Sequence, residues 1–187
     1  MRPQKVLDEE ILIGLTKVFR SKGYEGASLQ ELAEATGLKK ASLYHRFPNG
    51  KKEMAAAVLV HLGKWVEENV FQVLSDRNHP PKVRLRTGLF GIKTLYNNGK
   101  EVCIFRALSM QAGLALFEEQ INKGMKQWID AFNKIGLELG LSPSEAEKNA
   151  LQTLVEIQGS LIVTKGLDDL DIFENMLKNI ENRYLEA

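Results

Sequence analysis

The stretch that most constrains the fold is SLQELAEATGLKKASLYHRF, residues 28–47. Ser28 is followed three residues later by Glu31, which is the spacing of a capping box at a helix N-terminus. Apolar residues then recur at helical spacing, and a glycine follows where a left-handed helix end is expected: Leu29, Leu32, Ala33 and Gly37. A second periodic run, with Leu43 and Phe47 one turn apart, begins directly after the glycine. The stretch therefore predicts a helix-turn-helix, whose second helix can enter the major groove of DNA.

Helical periodicity continues through the rest of the chain, while the alternating pattern of β-strands is nearly absent. The sequence predicts an all-α fold of nine helices, three of them within the first 47 residues. Ser142-Pro143-Ser144-Glu145 is a second capping box. Besides the helices of the 28–47 stretch, helices are predicted near residues 8–22, 51–75, 82–97, 102–111, 115–139 and 142–165, and from 168 or 169 nearly to the C-terminus. The predicted stops and breaks are Gly23, Gly113, Gly140 and Gly166.

The sequence divides into a small N-terminal module, residues 1–50, and a larger C-terminal module, residues 51–187. Residues 1–52 contain ten Lys or Arg and six Asp or Glu, a net charge of +4, whereas the remainder has a net charge of −3. A basic N-terminal module is what contact with DNA phosphates requires. The helix predicted at 51–75 would be about 36 Å long. Because this is too long for the small module alone, we expect it to connect the two modules.

Composition excludes several classes of protein. Hydrophobic residues make up 44% and charged residues 26% of the 187 residues, as in ordinary globular proteins. No apolar run approaches the roughly 18 residues of a membrane span, and the first residues, MRPQKVLDEE, lack the apolar core of a secretory signal. A single cysteine excludes an intramolecular disulfide and fits a reducing compartment. We therefore expect a cytoplasmic protein without membrane contact.

Catalytic and metal-binding patterns are missing from the sequence. No HExxH, GxSxG, Walker A or GxGxxG motif occurs, and His45, His61 and His79 are isolated from one another. We therefore expect no enzyme activity, no catalytic residue, no metal and no cofactor.

The residues from 19 to 54 resemble the N-terminal signature of the TetR family of bacterial transcriptional regulators. The matching positions are Phe19, Gly23-Tyr24, Ser28, Leu32-Ala33, Gly37-Leu38, Ser42-Leu43-Tyr44-His45, Phe47 and the lysine that opens the fourth helix. The sequence departs from the family at Lys39, where a small capping residue is usual, and at Gly50, an additional residue that makes Lys51 the matching lysine. The resemblance implies an all-helical homodimer that represses from a palindromic double-stranded DNA operator. It also implies release of the DNA when a small effector enters the C-terminal domain.

The resemblance places the DNA contacts in the helix-turn-helix and at the start of the fourth helix. Ser28 and the free N–H groups of the second helix can hold a phosphate, Tyr44 can hydrogen-bond another, and Lys51 adds a point charge. Ordinary half-buried packing is the alternative for Tyr44 and His45. The predicted DNA-binding residues are Ser28, Lys39, Lys40, Ser42, Tyr44, His45 and Lys51.

Aromatic and methionine side chains of the C-terminal module are expected to face inward, where they would line a pocket for a small apolar effector or simply fill the core. The candidates are Trp65, Phe90, Tyr96, Phe105, Met110, Phe117, Met125 and Trp128. The last two helices are amphipathic, and the TetR family uses this pair for its dimer interface. The predicted interface residues are Leu151, Leu154, Val155, Gln158, Ile162, Ile172 and Met176, with intramolecular packing as the alternative for some of them.

Cys103 supports a further hypothesis. It follows Gly99-Lys100-Glu101 at the expected start of the sixth helix, where the helix dipole favours a thiolate. Cys103 is therefore either a redox or electrophile switch or a small buried residue at a helix start. A thiol-sensing repressor and a small-molecule-binding protein that no longer reads DNA are the alternative functions.

Overall fold

The structure is a computed structural model that describes residues 8–110 and 112–186. Every regular element within these ranges is helical, which confirms the all-α fold class and the number of helices. The helices are α1 (Asp8–Gly26), α2 (Leu29–Thr36), α3 (Lys40–Arg46), α4 (residues 51–75), α5 (Pro81–Leu95), α6 (Ile104–Leu108), α7 (Ala112–Glu138), α8 (Pro143–Leu167) and α9 (Asp171–Leu185). None of the described helices has a segment long and apolar enough to cross a bilayer.

The described residues form two compact units. Unit 1 contains residues 8–62 and 104–121, and unit 2 contains residues 63–103 and 122–186. The three divisions fall within α4, directly before α6 and within α7, so α4 and α7 each contain residues of both units. The functional division between residues 50 and 51 stays a prediction.

The core of unit 1 forms around the C-terminal end of α1. The backbone of α1 is broken at Gly23, which has a φ of 71°, as the sequence predicts for this glycine. Tyr24 follows the break, and its ring stacks on Phe19 with centroids 6.4 Å apart and meets Phe117 edge-to-face at 5.5 Å. A Cβ at Gly23 would lie 3.2 Å from the carbonyl oxygen of Ala107, so the glycine also lets α6 approach α1 closely.

The core of unit 2 contains a chain of aromatic rings. Trp128 meets Phe71 edge-to-face at 5.3 Å and stacks on Phe132 at 6.3 Å, and Phe132 meets Tyr184 at 6.0 Å. Burial raises the pKa of the Tyr184 hydroxyl to about 12, because an ionised phenol would be poorly solvated there. These rings fill the interior of unit 2 and connect α4, α7 and α9.

A π-helical turn interrupts α4, and the sequence patterns did not predict it. The helix is α-helical over Lys51–Val66 and Gln72–Ser75, with the π turn at Glu67–Phe71 between them. A Cβ at Gly91 of α5 would lie 2.5 Å from the carbonyl oxygen of Asn69. Glycine at this position therefore permits α5 to pack directly against the widened turn.

Two predicted glycine boundaries are wrong. Gly113 lies within α7 rather than at a break, where a Cβ would be 2.7 Å from the carbonyl oxygen of Leu108, so close packing explains the glycine. Gly166 lies within α8, which continues to Leu167 and ends at Asp168 with a φ of 53°. Aspartate can take this left-handed conformation because its short polar side chain bonds locally.

Candidate nucleic-acid interface and ligand cleft

The capping box predicted at the start of α2 is present. The Ser28 hydroxyl accepts a hydrogen bond from the Glu31 amide at 3.2 Å, and the Glu31 carboxylate accepts one from the Ser28 amide at 3.0 Å. Hydrogen bonds from Ser28, with a further contribution from Lys22, lower the pKa of the Glu31 carboxyl. The Ser28 side chain is thus occupied at the helix start, although it remains exposed to solvent.

The turn between α2 and α3 follows the sequence prediction. Gly37 has a φ of 65°, and the amide of Leu38 donates to the carbonyl oxygen of Ala33 at 3.1 Å, which closes the end of α2. Lys39 is the N-cap residue of α3 but makes no side-chain capping bond. Its exposed ammonium is therefore not occupied by the helix start, as expected from the absence of a small capping residue.

Successive residues of α3 are rotated by about 100°, and this rotation separates the helix into faces. Leu43 and Phe47 are buried and fix the inner face. The outward face lies opposite, and its side chains line a shallow groove together with Arg46. The residues of this outward face are Leu38, Ala41, Ser42 and His45.

The remaining side chains of the motif lie on the flanks of the outward face. Lys40 and Tyr44 are one turn apart on one flank, and Lys39 and Arg46 lie on the other. The segment Lys40–Arg46 contains no acidic residue, and the guanidinium of Arg46 pairs with Asp8 of α1. Lysine therefore provides unneutralised positive charge on both flanks.

Tyr44 is exposed, and its position is linked to the additional glycine of this sequence. Gly50 has a φ of 66°, and a Cβ there would be 3.4 Å from the Tyr44 ring. The edge of the ring therefore lies beside Gly50, directly before α4, while 44% of the residue remains exposed. Half-buried packing and DNA contact are compatible for this residue.

The ammonium of Lys51 is held in place by the end of α1 and the residues that follow it. Its ammonium donates to the carbonyl oxygens of Glu25 and Ala27 at 3.3 and 3.2 Å, and it lies 4.7 Å from the centre of the Tyr24 ring. Lys51 therefore holds the start of α4 to the end of α1, and its predicted role as a point charge for a phosphate stays a prediction.

Comparison with known proteins identifies this arrangement. Residues 11–58 match the family model described as "Bacterial regulatory proteins, tetR family". The HTH-type transcriptional regulator YxaF of Bacillus subtilis (strain 168) is 29% identical over 83% of this chain and 83% of its own. The HTH-type transcriptional repressor DhaR of Mycobacterium sp. (strain GP1) is 24% identical over 89% of this chain and 90% of its own. A TetR transcriptional regulator from Legionella pneumophila has the same fold, with a TM-score of 0.80 and 19% identity over 97% of this chain and 98% of that one.

The helix-turn-helix module of the chain belongs to the TetR family of bacterial transcriptional regulators. The chain is a helix-turn-helix regulator and not an enzyme, as these relatives indicate. In the described part of this TetR chain, no three His, Cys, Asp or Glu side chains are grouped so that they could hold a metal ion.

Unit 2 of this TetR chain contains a cleft of about 480 Å³ between the C-terminal part of α4 and α7. The π turn contributes Glu67 and Phe71 to its wall, and π turns often occur at functional sites. The cleft is rich in charged and polar side chains, in contrast to the apolar pocket that the sequence predicted. The lining residues are Glu67, Phe71, Leu74, Ser75, Arg77, Gln127, Asp130, Ala131, Lys134 and Glu138.

One lining residue of this cleft, Glu138, forms an ion pair with a buried arginine. Arg84 is only 3% exposed, and its guanidinium donates to the carbonyl oxygen of Leu74 at 2.7 Å and pairs with Glu138. The hydrogen bond from Arg84 lowers the pKa of the Glu138 carboxyl, with a smaller contribution from Arg77. Glu138 therefore stays ionised near neutral pH and is held in one position.

None of the eight predicted effector contacts lines the cleft. Phe90 and Met110 were expected to face inward, but they are 67% and 59% exposed, which contradicts that prediction. Tyr96 is buried against Phe173, with ring centroids 6.0 Å apart, and Phe117 packs on Tyr24 in unit 1. Trp128 is buried behind Phe71. The remaining three are half-buried: Trp65, Phe105 and Met125.

The predicted dimer residues divide into exposed and buried sets. Leu154 and Met176 are buried within unit 2, which favours the alternative of intramolecular packing for these two residues. Gln158 and Ile172 are half-buried. The outward side of α8 carries exposed apolar side chains. Three of them belong to the predicted interface, Leu151, Val155 and Ile162, and two do not, Val163 and Leu167.

Cys103 directly precedes α6 and is 4% exposed. A thiol that reagents in solution cannot reach is a poor sensor, because oxidation requires an accessible thiolate. The structure therefore favours the buried, structural role over the switch.

Sequence reasoning missed two groups of residues. Leu38 and Ala41 were not selected, because the choice of site residues followed charge and hydrogen-bonding capacity. The 100° rotation from Leu43 and Phe47 is a sequence signal that could have found them. Glu25 was also missed: its carboxylate accepts the Gly113 amide at 3.0 Å, a contact across 88 residues that no local pattern indicates.

Proposed function

We propose that this TetR-family regulator is a repressor that binds a palindromic operator as a homodimer and leaves it when a small-molecule effector binds. The observation that carries the DNA-binding part is α3, which exposes a small-residue face with lysine on both flanks and no acidic side chain. Such a helix matches the width of the major groove and the charge of the phosphates. The relative DhaR, described as a repressor, supports repression as the outcome.

The exposed apolar face of α8 supports the homodimer. Leu151, Val155 and Ile162 recur at helical spacing, and Gly159 between them has no atom within 4 Å of a Cβ, which allows close approach of a second helix. Large contiguous apolar faces on soluble proteins mark interaction surfaces. A two-fold dimer would present two α3 helices to half-sites about 34 Å apart, one turn of DNA.

The cleft of unit 2 is the proposed effector site. Its volume lies in the range of small-molecule sites, and charged groups converge on a half-buried aromatic ring, Phe71. An effector that binds there lowers DNA affinity only if it binds better to the DNA-free conformation. Because α4 and α7 contain residues of both units, they are the proposed route of the coupling. Because its proposed target is DNA, we expect the protein to act in the cytoplasm.

The test is fluorescence anisotropy of the full-length protein with DNA from immediately upstream of its own coding region, titrated at several salt concentrations. The operator selected from a random duplex library serves as a second probe. We expect nanomolar binding that weakens steeply with salt. The variant Tyr44→Ala/His45→Ala should lose specific binding, whereas Phe90→Ala, which removes an exposed aromatic ring of unit 2, should retain it.

The outcome that contradicts the proposal is clear. If neither the upstream DNA nor the random library yields a sequence bound more tightly than scrambled DNA, the protein is not an operator-binding repressor. For the effector, a compound that stabilises the protein thermally should also lower the anisotropy of the DNA complex. Asp130→Asn should weaken both effects together.

A further inference from the structure

The outward face of α3 has an apolar centre between two basic flanks. Leu38 is half-buried beside the exposed methyl group of Ala41, and Ser42 and His45 continue the same stripe at the spacing of one and two helical turns. These side chains line one shallow groove along the helix. The groove is centred directly opposite the buried Leu43, so it faces away from the core of unit 1.

Charge determines what approaches this groove. Among the residues that the structure describes, Lys40 on one flank and Lys39 on the other have no ion-pair partner, and α3 itself contains no carboxylate. The two lysines therefore attract negative charge to both flanks of the groove. The two phosphate backbones that border a major groove supply negative charge in this arrangement. Because Asp8 pairs with Arg46, the charge nearest the groove on that side is partly balanced.

The floor of the major groove offers one apolar group among its donors and acceptors, the C5-methyl group of thymine. Polar base edges are stabilised by hydrogen bonds to polar side chains, and phosphates by the charge of the lysines. Neither group would find such a partner in the apolar part of the groove. An apolar depression at the centre of a basic helix therefore fits a thymine methyl group better than any other feature of the major-groove base edges.

We propose that the groove at Leu38 and Ala41 receives the methyl group of one thymine in each operator half-site. Ser42 and His45 contact the neighbouring base edges, while Lys39 and Lys40 contact phosphates. This assignment rests on the proposed function, and it makes Ala41 a specificity-determining residue that charge alone would not reveal.

The experiment begins with operators selected by the full-length protein from a random duplex library. Each thymine of one half-site is then replaced by uracil, which removes the methyl group and leaves the hydrogen-bonding edge unchanged. At one thymine we expect a loss of affinity of about fourfold, the worth of one buried methyl group. Replacement of this thymine in both half-sites should lower the affinity by about sixteenfold, and uracil at the other thymines should change the affinity little.

The variant Ala41→Gly identifies the protein partner of that methyl group. Its ratio of thymine to uracil affinity at the sensitive position should fall close to one. The ratio compares two DNAs on the same protein, so any weakening of α3 by glycine cancels. Ser42→Ala is the matched control, and it should keep the fourfold ratio at that position while changing affinity for the neighbouring base pair.

The outcomes separate the two proposals. Specific operators that tolerate uracil at every position, or that contain no thymine in the half-site, overturn the methyl assignment and leave the repressor proposal standing. An undiminished uracil penalty in Ala41→Gly also overturns it. If the selection returns no preferred sequence, the repressor proposal fails, and the methyl assignment fails with it.

Discussion

The outward faces of α3 and α8 are both exposed helical surfaces, but their chemistry is opposite. The face of α3 has a small apolar centre among polar side chains and basic flanks, whereas that of α8 is aliphatic, with Val155 60% exposed. A basic surface remains well hydrated in the free protein, while an aliphatic one is stabilised when it is removed from water. The difference indicates that α3 meets a charged and hydrated partner and α8 an apolar one.

The helix-turn-helix and α8 nevertheless begin with the same local device. Ser142 and Glu145 repeat the box of Ser28 and Glu31, and the serine amide donates to the glutamate at 3.0 Å in both. A capping box therefore determines where a helix starts and not what its exposed face binds. Four changes can break or sharpen this contrast.

The largest expected effect is that of Val155→Glu on assembly and DNA binding. A carboxylate in an apolar dimer interface would be desolvated without a partner, so we expect this variant to be monomeric. Because a monomer binds DNA through a single helix-turn-helix, its DNA affinity should fall by about 100-fold or more. Sedimentation velocity and anisotropy measure the two effects. Val60→Glu changes a still more exposed valine of α4 and should leave both unchanged; a dimeric Val155→Glu variant would refute the assignment of α8.

The next effect is that of Lys40→Ala on the salt dependence of DNA binding. Loss of one phosphate contact per subunit should reduce the slope of log affinity against log salt concentration by about 0.9 for each subunit. Affinity at low salt should fall several-fold. Lys126→Ala, at an exposed position of α7, provides the comparison, and an equal slope for the two variants would exclude a phosphate contact at Lys40.

The two capping boxes provide a smaller effect on stability. Ser28→Ala and Ser142→Ala should each lower the free energy of unfolding by about 1 kcal/mol, measured by urea denaturation. Only Ser28→Ala should also weaken DNA binding, because its box positions the helix-turn-helix. If Ser142→Ala weakened DNA binding as much, the contrast between the two regions would be lost.

The smallest effect is on the pH dependence of stability. Hydrogen bonds from the cap serines lower the pKa of the Glu31 and Glu145 carboxyls in the folded state. Their stabilisation is therefore complete above the ordinary value of 4.5 and is lost as pH falls through the lower folded-state pKa. The difference in Tm between wild type and Glu31→Gln should be constant above pH 5 and shrink in more acid solution; a difference that grew on acidification would contradict this.

Much of the helix-turn-helix could be predicted because its signals are local. The box of Ser28 and Glu31 spans one turn, and Gly37 determines the end of α2 through its own φ. The predicted effector contacts were less accurate, because a helical pattern shows which face of a helix Phe90 lies on but not whether another element covers that face. The prediction that α8 ends at Gly166 was wrong for a related reason. The helix continues one residue beyond this glycine, and Asp168 takes the left-handed position.

The sequence by itself determined the helices, the capping boxes and the family of this protein, because each depends on residue types within a few positions of one another. The tertiary structure decided which exposed groups remain available. Lys51 reaches carbonyl groups 24 and 26 residues earlier in the chain, the Glu25 carboxylate is held by an amide 88 residues later, and Phe71 faces a cleft through the π turn. Such contacts depend on how distant segments pack, and side-chain pairing across that distance has no signature in local sequence.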